Sequence, residues 1–107
     1  MPWNAITVQS DPTADHVNRL STVNVQCHGI LFQALPGNSG RIVFGSETDI
    51  VATTPAGHIL VMLPPPLTNT YPSASAGIPW SPAAMDLNQI YWAVSSGGDG
   101  FICSFLT

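Results

Sequence analysis

From Val23 the apolar residues fall on alternate positions, Val23, Val25 and Cys27, with Asn24, Gln26 and His28 between them. A period of two is the signature of a strand with one wet face. The phase breaks at Gly29 and resumes at Ile30, Phe32 and Ala34, which predicts one inserted residue, a β-bulge, at Gly29. Leu35-Pro-Gly-Asn-Ser-Gly40 is made of turn-forming residues, and Ile42 and Phe44 return on one face. Val23 to Gly45 therefore reads as a β-hairpin. A second hairpin is predicted downstream. In Leu87–Val94, Ile90, Trp92 and Val94 share one face and Tyr91 and Ala93 the other; Ser95–Gly100 turns the chain; Phe101, Cys103 and Phe105 share a face on the way back.

The remaining segments are shorter. Ala5–Gln9 reads as a strand preceded by an arm, Met1–Asn4, and Ser10–Thr13 as a turn; Ala14–Thr22 reads as coil. Glu47–Asp49 is a polar bend and Ile50–Thr53 a short strand. His58–Leu63 is apolar on both faces, as a strand covered on two sides needs to be. Pro64 to Ala84 holds six of the ten prolines. Prolines remove ladder donors and stiffen the chain, so an extended loop is expected there. No segment of ten or more residues has a 3.6-residue period. The fold class predicted is all-β, a single domain built as a sandwich or barrel.

Charge changes the picture. The 107 residues include two arginines, no lysine and six acids, or 7% charged, where ordinary soluble domains carry about 25%. Residues 50–85 contain no charge at all. A surface so poor in charge is suited to a large contact with other chains. The anchors expected in that contact are Trp3 on the arm and Tyr71, Ile78 and Trp80 on the loop, with Pro64, Pro65 and Pro66 stiffening it. A net charge of −4 with only Arg19 and Arg41 as permanent cations argues against nucleic acid. The longest apolar run, Ile59 to Pro66, is far short of the ~20 residues of a helical membrane span. Met1-Pro-Trp-Asn4 does not open like a secretion signal.

Candidate chemistry is sparse. Asp11, Asp15 and His16 match no compact metal template, Glu47 and Asp49 fit a polar bend, and His28 and His58 sit at strand positions. No Gly-x-Ser-x-Gly elbow or phosphate-binding glycine motif occurs. Cys27 and Cys103 read as buried thiols, with a disulfide between neighbouring strands as the alternative. No catalytic residue, metal site or cofactor is expected.

The run from Gly29 to Gly45, with the pattern Q-A-x-P-x-N-x-G-x-I-x-x-G, the uncharged proline-rich stretch, Leu87-Asn-Gln-Ile-Tyr and Gly97-Gly-Asp-Gly100 together resemble small virion proteins of tailed bacteriophages. The group most similar is the capsid decoration, or cement, proteins. That resemblance implies a β-sandwich, often jelly-roll-like, assembled with the virion in the host cytoplasm. It would sit on the outer surface of the phage head as an oligomer and tie subunits of the major capsid protein together. A homotrimer is the first expectation and a dimer the second. The alternative is a receptor- or glycan-binding module of a tail, neck or adhesin, with Tyr71, Trp80 and Trp92 stacking on sugar rings. A glycan site needs exposed aromatics beside Asn, Asp or Gln, whereas a cement surface needs aromatics that bury against protein.

Overall fold

The structure, a computed structural model, describes residues 3–65 and 75–107. Among them run β1 (Trp3–Ser10), β2 (Asn18–Arg19), β3 (Gln26–Cys27), β4 (Gly29–Ala34), β5 (Ile42–Gly45), β6 (Ile59–Leu63), β7 (Ser75–Ile78), β8 (Met85–Asp86), β9 (Tyr91–Val94) and β10 (Gly100–Leu106). Every pairing is antiparallel. One four-stranded sheet has the order β1-β10-β4-β7, a second the order β2-β9-β5-β6, and β3 pairs with β8 apart from both.

The two larger sheets face each other across one core. Phe32 and Phe101 come from the first, Phe44 and Trp92 from the second. The Phe32 and Phe44 rings stack at 3.8 Å and 19°, and Phe101 presents its ring edge-on to Phe44 and Trp92, each at 4.9 Å. Offset stacks and T-shaped pairs suit the ring quadrupole and add to the area term. A smaller cluster lies on the other side of the second sheet, where Ile50 and Ala52 from the β5–β6 connection cover Val43 and Ala93. Asp15, Thr53 and Arg41 fasten that connection. The Asp15 carboxylate accepts the amides of Ala52 and Thr53 at 2.8 and 3.0 Å, and Arg41 donates to both of their carbonyls at 3.1 Å.

The period-two faces are as expected: Phe101, Cys103 and Phe105 point into the core with Ile90, Trp92 and Val94, and Tyr91 and Ala93 point to the smaller cluster. The expected partners are wrong. β4 and β5 lie in different sheets, as do β9 and β10, so each expected hairpin is an arch that crosses the core. The arches pair with each other instead, β4 with β10 and β5 with β9. Side chains at their bends supply the reason. The Asn38 amide donates to the Gly100 carbonyl at 2.8 Å and accepts the Gly100 amide at 2.9 Å. The Asp99 carboxylate accepts the amides of Ser39 and Gly40, both at 2.8 Å. Each bend keeps its own backbone turn, Asn38 to the Leu35 carbonyl and Asp99 to the Ser96 carbonyl, and the side-chain bonds tie one bend to the other.

Other differences are local. The phase break at Gly29 is not a bulge: the chain changes sheets there, with β3 on β8 and β4 on β10. Trp3 and Asn4 are no arm, because they extend β1 and pair with Leu106 and Phe105. The expected loop 64–84 contains β7, and Leu87–Gln89 is a 3-10 turn capped by Asp86, whose carboxylate accepts the Asn88 amide. β2 forms within the expected coil, and of Ile50–Thr53 only Val51 makes a bridge, to Ala56. β6 is not covered on both faces, since it is an edge strand with Leu60 and Met62 exposed at 55% and 42%.

Candidate interaction surface

Most of the charges are engaged in bonds within the molecule. Five of the six acids accept backbone amides: Asp11 from Thr13, Asp15 from Ala52 and Thr53, Asp49 from His58, Asp86 from Val25 and Asn88, and Asp99 from Ser39 and Gly40. The Arg19 guanidinium lies over the Tyr91 ring, 5.6 Å from its centroid. Asp11 also takes the His16 ring at 2.6 Å and the Asn18 amide at 2.7 Å. Burial pushes the Asp11 carboxyl upward, but those bonds outweigh it and hold the group below its usual value. In Asp15 burial is likewise outweighed by Thr53 and Ala52, and Asp49 is held down chiefly by the His58 amide and ring.

A carboxyl whose pKa falls on folding stabilises the fold above its unfolded value near 3.8, and that contribution disappears as pH drops through the folded values. Three carboxyls are lowered, so the urea midpoint is expected to be flat from pH 7 to about 5 and to fall steeply below about pH 4. Asp15→Asn should start from a lower midpoint and lose less of it on acidification. A wild-type midpoint equal at pH 5 and pH 2.5 contradicts this account.

The charged residues are all outside the first sheet: none occurs in β1, β4, β7 or β10. The outward positions of those strands, read from the register, carry Trp3, Ala5, Leu31, Gln33, Ser75, Gly77, Ile102, Ser104 and Leu106. Trp3, Leu31 and Ile102 are 58%, 46% and 37% exposed. On the second sheet the 46–58 connection covers the outer face at β5 and β9 and leaves Leu60 and Met62 of β6 exposed; among the described residues nothing covers the outer face of the first.

At one end of this face lies a groove of about 360 Å3. Trp3 forms one wall, Trp80 and Pro79 the other, and Gly29, Leu31, Gly77 and Leu106 lie between. Gly29 and Gly77 put no side chain into it. A Cβ on Gly77 would lie 2.6 Å from the Ile30 carbonyl, so the crossing there admits only glycine. The Trp80 wall is held by His28. Ser81 donates its amide to the His28 carbonyl at 2.8 Å, the His28 ring nitrogen Nδ1 lies 2.9 Å from the Ser81 carbonyl, and the Trp80 and His28 rings stack at 6.5 Å and 28°.

Of the anchors expected from sequence, Trp3, Ile78 and Trp80 line this one groove. Pro64 and Pro65 are exposed beyond the end of β6 and line no part of it. Tyr71 and Pro66 lie outside the described residues. Leu31, Ile102 and Leu106 were not singled out in the sequence, although each is an apolar residue at an outward phase of its strand. Trp92, considered as a sugar platform, is 2% exposed, and its indole nitrogen is buried without a hydrogen-bond partner.

Cys27 and Cys103 are free and buried. Burial raises both thiols, Cys103 to about 12 with a further contribution from Cys27, so both are protonated at neutral pH. Among the described residues no three His, Cys, Asp or Glu side chains gather as metal ligands, and no helix is long and apolar enough to cross a membrane.

No family model, curated protein or solved structure matches this chain.

Proposed function

We propose that this chain is a structural protein of a phage virion, a decoration or cement protein that binds the outer surface of the head and stabilises contacts between coat subunits. The observation that carries the reading is the charge-free outer face of the β1-β10-β4-β7 sheet, with Trp3, Leu31 and Ile102 exposed on it. A face with this much apolar area gains most by docking on protein, at roughly 25 cal/mol per Å2 removed from water. The strand orders support the same reading. With β3 and β8 set aside and the eight other strands counted afresh in chain order, β1-β10-β4-β7 becomes 1-8-3-6 and β2-β9-β5-β6 becomes 2-7-4-5. We take this as the order of a jelly-roll sandwich, an architecture common in viral capsid domains.

The edges favour contact through a face. β1 has a register slip between Ile6 and Gln9, β6 has one opposite Phe44 and Gly45, β2 has two residues, and β7 is followed at once by Pro79. Slips, shortness and proline are the devices that discourage edge-to-edge pairing. The groove favours protein over sugar as well. Among the described residues its lining contains no Asn, Asp or Gln to bond hydroxyls beside the two indoles.

The test is stoichiometry. In particles purified from the source and quantified by mass spectrometry, this chain is expected at the coat-protein copy number or a simple fraction of it. Absence from particles overturns the proposal, and a handful of copies moves the protein to the neck or tail. Leu31→Lys with Ile102→Lys places two charges on exposed positions of the face, and incorporation into heads is expected to fall at least about tenfold, or ~1.4 kcal/mol of binding. Normal incorporation of this variant rules the face out.

A further inference from the structure

We propose that the groove between Trp3 and Trp80 receives the exposed proline run at Pro64–Pro65 of a second copy of this chain, joining copies groove to run. The inference does not depend on a virion role.

The argument begins with hydrogen-bonding capacity. An indole offers one N–H donor and no acceptor. The Trp3 and Trp80 indoles wall the groove, both are more than half exposed, and among the described residues no other side chain lining it carries a polar atom. The groove thus presents donors without side-chain acceptors. A β-strand laid there would strand its own N–H groups over an apolar floor. A proline run has the opposite inventory, with free carbonyls and no backbone N–H. It also adopts the polyproline II helix before binding and so loses little entropy on docking between aromatic walls.

The chain itself carries the matching segment. Pro64 and Pro65 carry no charge, and neither does the groove among the described residues, so two molecules of net charge −4 meet here without like charges at the contact. Pro64 and Pro65 are exposed and do not enter the groove of their own molecule. Contact between two different patches is heterologous, the kind that closes into rings when the rotation permits.

The experiment is complementation by two variants. The wild-type chain is expected to self-associate with a Kd on the order of 10–100 µM, followed by sedimentation and light scattering. Trp80→Ala removes the groove wall and Pro64→Ser with Pro65→Ser removes the run; each is expected to weaken self-association at least tenfold. All three positions are exposed, and far-UV circular dichroism checks that the variants fold. Mixed together, the two variants retain one good groove and one good run, and they are expected to form a heterodimer that grows no further. A wild-type chain monomeric at 500 µM, variants that associate like wild type, or a mixture that forms no heterodimer each overturns the proposal. Independently, the peptide Leu-Pro-Pro-Pro-Leu is expected to shift the indole N–H resonances of Trp3 and Trp80 in the wild-type chain, and unmoved resonances overturn the proposal as well.

Discussion

Phe44→Ala is expected to lower the free energy of unfolding by about 3–5 kcal/mol, read as a reduced urea midpoint at unchanged slope. Phe44 is fully buried. It stacks on Phe32 from the facing sheet and receives the edge of Phe101, so its removal opens a cavity where the two sheets meet. The neighbours cannot collapse into that space easily. Ile42 and Val43 beside it are fully buried, and β5 is held on both sides by β6 and β9. Since domains of this size are stable by only about 5–15 kcal/mol, the variant should sit close to its unfolding threshold at room temperature. Phe44→Leu keeps much of the volume and is expected to lose about half as much. A loss below 1 kcal/mol for the alanine variant means that the two sheets are not packed through this ring.

Asp99→Ala is expected to cost about 2–4 kcal/mol, from two charge-assisted hydrogen bonds and the amides they leave without acceptors. Asp99 is 3% exposed, and its two oxygens take the amides of Ser39 and Gly40 separately. Asp99→Asn retains one acceptor and should fall between wild type and alanine. A separate readout tests the clamp itself: in Asp99→Ala the amides of Ser39 and Gly40 are expected to exchange with solvent far faster than those in β4. Equal protection in variant and wild type contradicts the clamp.

Much of the fold was legible at the level of single strands. Alternation grouped Phe32 with Ile30, Phe44 with Ile42, Trp92 with Ile90 and Val94, and Phe101 with Phe105 on common faces without any knowledge of pairing, because the period of a strand is local. Pairing is not local. Turn-rich segments such as Leu35–Gly40 and Ser95–Gly100 look the same whether a chain folds back in one sheet or crosses to another. The difference lies in Asn38 and Asp99, whose partners are about sixty positions away. The same holds for the groove. Trp3 and Trp80 stand out in sequence as aromatics beside prolines, but their meeting depends on β1 and β4 flanking β10. Leu31 and Ile102 escaped notice because one apolar residue at an outward phase is ordinary until the strands beside it leave that whole face without charge.

The position of β10 has a consequence for biosynthesis. It lies between β1 and β4 in the first sheet, yet follows both in the chain. While the chain is being made, β1 therefore has no partner in its sheet, and β4 has only β7 beside it. Adjacent in sequence and paired with each other, β5 and β6 can form during synthesis and wait for β9. Synthesis at about 5–20 residues per second then sets an interval of seconds in which β1 is made but the middle of its sheet is missing. The first sheet is completed only when β10 joins β1 to the β4–β7 pair, so the last strand made is the one that holds its two halves together.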